Sequence, residues 1–389
     1  MIELKDTYGI FTLFELARKH QRAALNTLRK MVEIESPSDN KAAVDRCVAF
    51  VAGECERLGG RVRLHRQKVF GDLLEARFGP AKTRKKPLLL LGHLDTVWPL
   101  GTLKSMPFRI TKDRVWGPGV LDMKAGVGMA LSAIAILREL ERLTRPIVML
   151  LNSDEEVGST VSRPVTEKLA RQCEAVYVLE PAQGSEGAYK TARKGVGVYS
   201  VRVQGVAAHS GVDFKNGHSA IVELSRQIER VTRFTEFDRG ITVNVGTIQG
   251  GTRSNVVAAE AQAEVDVRIA RAKDETRIDR RFRSLRVFDS KCKLHVDGGL
   301  NRPPMERTRG TVALFKRSAA YARTLGFELQ EAATGGGSDG NFTSALGVPT
   351  LDGMGAVGEG AHAAHESLLL EHMAPRTALL AAMLADAGK

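Results

Sequence analysis

A histidine and several carboxylates stand at four separated points of the sequence, and their types suit a metal site. The points are His93 with Asp95, then Asp122, the pair Glu155-Glu156, and Glu180. If these groups were buried together without a cation, they would repel one another and lose their hydration. Their combination therefore predicts a metal centre, provided that the fold brings them to one place.

Three of these points follow an apolar run that is typical of a buried strand. The runs cover residues 88–91, 147–151 and 176–179. Open α/β sheets place their ligand sites at the carboxyl ends of strands. We therefore expect the three points to converge at one edge of a sheet.

Helical spacing of apolar residues predicts the segments that connect these strands. The predicted helices cover residues 41–58, about 124–140 and about 165–171. Alternation of strands and helices implies a largely parallel sheet with helices on both faces. The fold class expected for this part of the chain is therefore α/β.

A different order of elements begins at Val196. The predicted elements are a strand at 196–203, a helix at 219–232, strands at 241–249 and 259–269, a helix at 273–285 and a strand at 293–297. This order is the split β-α-β pattern of a ferredoxin-like α+β sandwich. The α/β pattern returns from about Pro303, so the small domain is predicted to be inserted into the large one.

Length, charge and aromatic content limit the classes of function. The 389 residues are enough for two domains, and a net charge of +12 would by itself fit a nucleic acid, an acidic membrane surface or an anionic small substrate. The basic residues are dispersed and only 5% of residues are aromatic. Stacking on bases therefore has little support, and no nucleic-acid partner is expected.

Neither a membrane segment nor a cysteine site is expected. No apolar run approaches the ~18 residues of a membrane span, and residues 1–8 show no targeting signal, so we expect a cytoplasmic protein without a membrane partner. The four cysteines are scattered, which predicts neither a thiolate zinc site nor a disulfide framework.

Eight short motifs follow one another along the chain. They are GHLDTV at 92–97, GPGVLDMK at 117–124, DEEVGS at 154–159, LEP at 179–181, AHSG at 208–211, SNVV at 254–257, DVR at 266–268 and GGGSD at 335–339. In this order they resemble the co-catalytic zinc amidohydrolases, which include bacterial glutamate carboxypeptidase, acetylornithine deacetylase and succinyl-diaminopimelate desuccinylase. The resemblance implies a di-zinc exopeptidase-like catalytic domain (1–194 and 304–389) with an inserted dimerisation domain (195–303).

The resemblance also implies two zinc ions per subunit, for which cobalt or manganese could substitute. It assigns Asp122 to both ions, His93 and Glu180 to one ion, and Glu156 and His362 to the other. The three carboxylates and a bridging hydroxide would balance the charge of two divalent ions, which makes burial of the cluster tolerable.

The C-terminal histidine ligand has two candidates, because His362 and His365 lie close together in the sequence. The family pattern usually places a glutamate four residues after the ligand. Glu366 satisfies that pattern for His362, which is therefore preferred.

Two residues beside the ligands receive supporting roles. Glu155 is adjacent to Glu156 but is not needed as a ligand, which suits a general base. Asp95 lies two residues after His93 and points to the same side of its strand. It could therefore orient the imidazole by a hydrogen bond.

Residues of the inserted domain are assigned to the substrate by the resemblance. In relatives the histidine at the position of His209 reaches into the neighbouring subunit's site, which implies a homodimer and an oxyanion donor supplied in trans. Arg268 and Asn255 are expected to hold a substrate carboxylate. Arg253 matches no family position and stays a candidate specificity residue.

The glycine-rich stretch near the C-terminus is expected to line the substrate pocket, as in relatives. The residues are Gly336, Gly337 and Ser338. Although the stretch formally fits G-x-G-x-x-G, no mononucleotide-binding unit surrounds it, so a dinucleotide site is not expected.

The function implied is metal-assisted hydrolysis of the amide bond of an N-acyl or peptidyl amino acid with a free carboxylate, most similar to glutamate carboxypeptidase. A deacylase similar to acetylornithine deacetylase or succinyl-diaminopimelate desuccinylase, or an aminoacylase, is the alternative. Two other classes are a catalytically silent dimeric binding protein and a basic nucleic-acid binder. The complete set of ligands argues against the first, and the sparse aromatic residues argue against the second.

Overall fold

The computed structural model describes residues 7–386, so the expected absence of a targeting signal at the start of the chain lies largely outside the described residues. The chain forms two compact units. The first holds the chain up to Ala192, Arg307–Thr334 and the chain from Ser338 onward, and the second holds Arg193–Glu306 with Gly335–Gly337. The second unit nearly coincides with the segment 195–303 that the sequence pattern separates from the rest.

The described residues form the following helices and strands. The helices are α1 Thr7–Glu33, α2 Lys41–Arg57, α3 Ala125–Glu139, α4 Arg163–Ala170, α5 Ala220–Thr232, α6 Glu275–Arg283, α7 Arg309–Thr324, α8 Gly340–Ala345 and α9 Met373–Asp386. The strands are β1 Arg61–His65, β2 Leu73–Phe78, β3 Leu88–His93, β4 Arg109–Ile110, β5 Arg114–Trp116, β6 Ile147–Asn152, β7 Ala175–Val178, β8 Tyr189–Arg193, β9 Gly195–Gln204, β10 Thr242–Gly250, β11 Glu260–Ile269, β12 Lys293–Arg302, β13 Glu331–Thr334, β14 Thr350–Leu351, β15 Gly358–Glu359 and β16 Ser367–Leu369.

A six-stranded sheet in the order β1-β2-β6-β3-β7-β14 forms the centre of the first unit. The strands β6, β3, β7 and β14 are parallel, whereas β1 and β2 run antiparallel at one edge. The prediction of a mostly parallel α/β sheet is therefore confirmed, with an antiparallel edge that the sequence pattern did not reveal. A second, antiparallel sheet in the order β15-β16-β5-β4 was not predicted either.

The central sheet is apolar on both faces, as β3 shows. Leu88 and Leu90 belong to a core shared with α1, α2, α3 and α9, whereas Leu89 and Leu91 belong to a separate core that includes Leu169 of α4. Successive side chains of a strand point to opposite faces, so an uninterrupted leucine run must be covered on both sides. Helices therefore lie on both faces, as predicted.

Helix α1 was missed from the sequence although its pattern is present. Its buried residues include Ile10, Leu13, Ala17, Leu28 and Met31, which recur at helical spacing. It packs against α3 and α9, and this three-helix layer covers one face of the central sheet.

The helical stretch Val120–Glu139 is long and apolar enough to cross a membrane, contrary to the expectation that no segment approaches that length. Most of this stretch is buried inside the first unit. Burial on all sides also explains why the helix is apolar all round. The stretch is therefore weak evidence for a membrane, because core helices have the same composition.

The second unit contains an antiparallel sheet in the order β10-β11-β9-β12, with α5 and α6 in the connections. This is the strand order of the ferredoxin-like sandwich that the sequence predicts. In β11 the predicted alternation is observed, since Ala261, Ala263, Val265, Val267 and Ile269 are buried while the residues between them are more exposed. The buried face packs with residues of α5 and α6, such as Leu224 and Phe282.

Two glycines of α3 provide a matched test of the packing beneath the metal ligands. A Cβ atom at Gly126 would overlap with the carbonyl oxygen of Leu179, whereas one at Gly128 would meet only ordinary contacts, with Met31 Cε 3.7 Å away. Gly128→Ala should stabilise the protein by about 0.5–1 kcal/mol, because alanine loses less backbone entropy in a helix.

Gly126→Ala should instead destabilise the protein by about 1–3 kcal/mol, because α3 must move away from the end of β7. Chemical denaturation of both variants measures the difference. Equal stability of the two variants would show that α3 does not press on β7 at this point.

Candidate metal centre

Three adjacent parallel strands bring three of the predicted ligand segments to one edge of the central sheet. His93 ends β3, where it is paired in register with Asn152 at the end of β6. The turn that carries Glu155 and Glu156 follows β6, and Glu180 follows β7 by two residues. The convergence expected from the sequence therefore results from the order β6-β3-β7.

The other two predicted ligands come from irregular segments of the same unit. Asp122 lies in a turn before α3, where its φ of −110° and ψ of 96° depart from helical values and its peptide bond to Met123 is cis. His362 lies between β15 and β16 with a φ of 64°, in the left-handed region that non-glycine residues rarely adopt. The left-handed backbone of His362 persists only where the surrounding structure holds it in place.

The five predicted ligands form two overlapping groups. One group contains His93, Asp122 and Glu180, and the other contains Asp122, Glu156 and His362. Within each group the ligand atoms lie within 4.8 Å of one another. Asp122 belongs to both groups, which is the arrangement required of a carboxylate that bridges two ions.

The distances between the groups show how Asp122 is shared. His93 Nε2 lies 3.3 Å from Asp122 Oδ1 and 3.6 Å from Glu180 Oε1. His362 Nε2 lies 3.4 Å from Asp122 Oδ2 and 3.1 Å from Glu156 Oε2. Each oxygen of Asp122 therefore faces one histidine.

His362, and not His365, stands beside the carboxylates. His365 is exposed and belongs to neither group of ligand atoms among the described residues. The preference for His362, which the sequence supported only through the position of Glu366, agrees with this geometry.

Asp95 orients the imidazole of His93, chiefly through the backbone carbonyl group of Asp95. His93 Nδ1 is 3.0 Å from the Asp95 carbonyl oxygen and 3.4 Å from the carboxylate Oδ1. A proton on Nδ1 leaves Nε2 as the atom that can bind a metal. The expected role of Asp95 is thus met mainly by its carbonyl group.

The carboxylate of Asp95 holds the neighbouring ligand turn. It accepts hydrogen bonds from the backbone N–H groups of Glu155 and Glu156, at 3.3 and 3.2 Å, and from the hydroxyl of Ser38 at 2.7 Å. Asp95 is fully buried, so these contacts offset the cost of removing its charge from water. They hold the backbone of the turn that carries both Glu155 and the ligand Glu156. Glu155 itself is in neither ligand group.

The ligand atoms fit a metal because several of them lack any other partner. Within the described part of the chain, His93 Nε2, Asp122 Oδ1 and Glu156 Oε1 are buried without a hydrogen-bond partner. Buried polar atoms are normally paired, and those left over mark places where an ion or water belongs. Two imidazole nitrogens and three carboxylates suit zinc, and they equally admit cobalt or manganese.

Without a metal, protons replace the missing positive charge. Hydrogen bonds to Asp122 and Glu156 raise the pKa of His362 to about 10. Burial alone would lower the pKa of His93, but the neighbouring Asp122 and Asp95 outweigh burial and raise that pKa well above its usual range. The two histidines in turn hold the pKa of Asp122 below its usual range, against the effect of burial.

A buried carboxylate that the sequence analysis did not assign supports the Asp122 turn. Glu366 accepts hydrogen bonds from the backbone N–H groups of Gly119, Leu121 and Asp122. The signal for this residue in the sequence is its spacing of four residues from His362, which supports His362 as a ligand but does not indicate what the glutamate contacts.

Two of the predicted substrate residues lie together in the second unit. The loops of His209 and Asn255 are joined because Ser210 N–H donates to the Asn255 carbonyl at 3.0 Å and Val257 N–H to the Ala208 carbonyl at 2.9 Å. Gly211 N–H donates to His209 Nδ1 at 3.1 Å. In the neutral imidazole the proton is then on Nε2, which makes that exposed nitrogen a hydrogen-bond donor.

Arg268 lies at the other end of the same small sheet. It is paired with Thr242 at the start of β10, whereas Asn255 follows the end of β10, where Gly250 is paired with Ala261. The seven residue-to-residue steps from Arg268 to Ala261 along β11 span about 23 Å. Arg268 and Asn255 of one chain therefore lie too far apart to hold the same carboxylate, and their expected joint role stays a prediction.

The guanidinium of Arg268 is held in place by Asp266. Nε and Nη2 each donate to the Asp266 carboxylate at 2.8 Å, and Nη1 donates to the Gly335 carbonyl at 3.3 Å. These three bonds use three of the five N–H donors, so two remain for a ligand. Arg253 is exposed beside a cavity of about 490 Å³ in the second unit and keeps no assigned role.

The three residues of the glycine-rich stretch that were predicted to line the substrate pocket differ in their surroundings. Gly336 is exposed and Gly337 is half-buried, and their carbonyl groups accept hydrogen bonds from Arg193. Ser338 is fully buried, and its hydroxyl donates to Asp352 at 2.5 Å. The side chain of Ser338 therefore supports the interior of the first unit, and its assignment to the substrate pocket stays a prediction.

Comparison with known proteins agrees with the motifs and the fold. Residues 89–386 match the model of peptidase family M20/M25/M40. The chain is 30% identical to carboxypeptidase G2 of Pseudomonas sp. (strain RS-16) over 381 residues, which cover 96% of this chain and 91% of that protein.

Solved structures show the same fold at lower identity. Aminopeptidase PepT from Bacillus cereus ATCC 10987 is similar with a TM-score of 0.78 and 21% identity, over 94% of this chain and 98% of that one. The M20 family metallo-carboxypeptidase Sso-CP2 from Sulfolobus solfataricus is similar with a TM-score of 0.75 and 18% identity, over 93% and 98%. At these identities the likeness concerns the fold alone.

Metal uptake by the metal-free protein should release protons. His93 and His362 carry protons at neutral pH without metal, because their pKa values are raised, whereas only neutral imidazole binds a metal ion. Titration with zinc at pH 7 should release about two protons per subunit from the histidines, in addition to any proton lost by a metal-bound water, and affinity should fall as the pH is lowered. Calorimetry in buffers of different ionisation enthalpy counts the protons.

His362→Ala and His365→Ala form the matched pair for this measurement. The first variant should release about one proton fewer and bind one ion fewer, and the second should behave like the unaltered protein. Loss of an ion in His365→Ala alone would transfer the ligand role to His365.

Proposed function

The chain belongs to peptidase family M20/M25/M40, and from this premise we propose that it removes a C-terminal glutamate from N-acyl or peptidyl glutamates by hydrolysing the amide bond. That it is a metal-dependent hydrolase similar to carboxypeptidases follows from the family and from the two groups of ligand atoms. One observation supports the proposed reaction best. Asp122 belongs to both groups of ligand atoms, and Glu155 lies in the same turn as the ligand Glu156.

Glu155 is the proposed general base. Zinc ions held by the five ligands would lower the pKa of a bound water from about 15.7 towards about 7. Glu155 would take the proton of that water and later give it to the leaving amine. Its backbone N–H donates to the Asp95 carboxylate, which holds the turn that carries both Glu155 and Glu156.

Arg268 is the proposed recognition residue for the carboxylate of the leaving amino acid. Asp266 fixes the plane of its guanidinium while two donors remain, and such a planar fork binds a carboxylate with two parallel hydrogen bonds. Glutamate is the proposed leaving group because of the 30% identity to carboxypeptidase G2, and because a net charge of +12 favours encounter with an anionic substrate.

His209 and Asn255 are proposed to act in the site of a partner subunit. Their loops are hydrogen-bonded to each other and lie at the end of the small sheet opposite to Arg268. A homodimer would let one subunit supply Arg268 and the other supply His209 and Asn255. The proton on His209 Nε2 suits a donor to the developing oxyanion.

The outer edge of β10 is the proposed dimer surface. Strand β10 carries no charged side chain, whereas the other edge strand, β12, carries Lys293 and Asp297. Charges normally protect an edge from pairing with another chain, so the uncharged edge is the one suited to pairing. Ile248 of β10 and Ile221 of α5 are exposed beside it.

Removal of the substrate's carboxylate tests the proposed specificity. A charge-assisted bond contributes roughly 1.5–3 kcal/mol, so amidation of the α-carboxylate should lower kcat/KM by about one to two orders of magnitude. Arg268→Ala should cleave acid and amide at nearly equal rates. Arg202→Ala is the matched control, because Arg202 lies in the same sheet and is also paired with an aspartate, Asp297.

The outcomes of this comparison separate the candidate functions. If the unaltered enzyme cleaves N-acyl amino acids other than glutamate faster, the deacylase or aminoacylase alternative replaces glutamate specificity. If it cleaves amide and acid equally well, the carboxypeptidase proposal fails. A zinc-loaded protein that hydrolyses none of these substrates would instead support a binding protein.

Mixing two inactive variants tests the shared site. Glu155→Gln lacks the base and His209→Ala lacks the oxyanion donor, with losses of about 10²- to 10⁴-fold for the former. If His209 acts across the interface, a mixed dimer contains one complete site, and activity should return to a fraction of the normal rate.

Ile248→Lys, added to both variants, is the control for subunit exchange, because a charge on the edge strand should prevent pairing and abolish the recovery. Val198→Lys, on the opposite face of the sheet, should not prevent pairing. Sedimentation verifies the oligomeric state in each case. Recovered activity in monomeric protein would contradict a site shared between subunits.

A further inference from the structure

Glu366 is a fully buried carboxylate that none of the proposed catalytic steps uses. It follows His362 by four residues and precedes β16, so it lies on the segment that carries one metal ligand. Its partners lie more than two hundred residues earlier in the sequence, on the segment that carries Asp122. The side chain therefore joins two ligand segments that are otherwise remote in the chain.

Both oxygens of Glu366 are engaged. Oε1 accepts the backbone N–H groups of Leu121 at 2.8 Å and Asp122 at 3.0 Å. Oε2 accepts the backbone N–H of Gly119 at 2.9 Å and the indole N–H of Trp98 at 2.8 Å. Four donors on one buried carboxylate make a rigid arrangement in which each donor is satisfied.

The backbone of residues 119–122 needs this external acceptor. Gly119 has a φ of 69°, and Asp122 departs from helical dihedral angles, so the turn does not continue regularly into α3. Its N–H groups precede the first full turn of that helix and have no carbonyl four residues before them in helical geometry. Buried N–H groups without an acceptor would be costly, and Glu366 supplies one for three of them.

We propose that Glu366 is a positioning residue that sets Asp122 relative to His362, so that the two metal sites form together. The Asp122 N–H that it holds belongs to the residue shared by both ligand groups. Displacement of the turn would move Asp122 away from His93 and His362 at once. The inference depends on the metal centre and not on the substrate or on the leaving group.

Glutamine cannot replace Glu366 in this role. Its side chain has one oxygen and one NH2 group, and the carboxylate accepts two N–H groups on each side. Whichever way the amide is turned, the NH2 group faces two donors. Glu366→Gln therefore keeps the size of the side chain but makes the turn incompatible with its present position.

Glu223 offers a matched control in the other unit. It is also buried, and its carboxylate accepts the backbone N–H groups of Phe288 and Asp289 at 3.0 Å each and a side-chain N–H of Gln227 at 2.7 Å. It is in neither group of ligand atoms. Glu223→Gln should therefore reproduce the loss of stability without changing the metal centre.

Metal binding of full-length Glu366→Gln, measured with zinc and with cobalt, tests the proposal. We expect zinc affinity to fall about 10- to 100-fold, as for other residues that orient metal ligands, and the visible spectrum of the cobalt-loaded protein to change. Glu223→Gln should keep the affinity and the spectrum of the unaltered protein. Unchanged affinity and spectrum in Glu366→Gln would overturn the proposal.

Glu366→Asp decides the matter if Glu366→Gln does not fold. Aspartate keeps both acceptors but is one methylene shorter, so it should pull the turn inward and weaken zinc binding less than glutamine would. Affinity and cobalt spectrum equal to those of the unaltered protein would again overturn the proposal. A failure of the unaltered protein to bind metal would contradict the metal centre itself, which is a different result.

Discussion

The structure depends on the electrostatic constraint at Asp122. One carboxylate is shared by two groups of ligands, and two further carboxylates and two histidines face it within a few ångströms. This concentration of charge is stable only with cations or protons among the ligands, as the raised pKa values of His93 and His362 show. The ligands lie at the ends of packed strands and in hydrogen-bonded turns. The packing of the core therefore offsets the repulsion between them.

The acidic residues around the site divide into two kinds. Glu156, Glu180 and Asp122 present their oxygens to one another, whereas Asp95 and Glu366 present theirs to backbone N–H groups of the ligand segments. Asp95 and Glu366 hold irregular segments of backbone in one position. Each carboxylate accepts N–H groups that would be bonded to carbonyl groups in a regular helix. These buried carboxylates therefore fix the geometry of the ligand segments.

The second unit carries a different kind of arrangement. Asp266 orients Arg268 at one end of the small sheet, and hydrogen bonds join the loops of His209 and Asn255 at the other end. A strand of this length holds the two groups too far apart to contact one small carboxylate in a single chain. The same rigidity that fixes each group thus makes a shared site between two copies the natural proposal, and the uncharged edge of β10 offers the surface for it.

The sequence pattern by itself predicted the parallel strands that carry the site, the elements of the small domain and its inserted position, and the cluster of histidine and carboxylates, whereas the family resemblance assigned each ligand. These predictions from the pattern follow from the spacing of apolar residues and from charge, which act over a few residues or need no partner. The tertiary structure alone decided that Ser338 is interior, that the Asp95 carbonyl rather than its carboxylate is nearest to His93, and that Glu366 reaches the Asp122 turn. Each of these depends on which distant segments pack together. The local periodicity of the chain does not encode contacts between segments that are remote in the sequence.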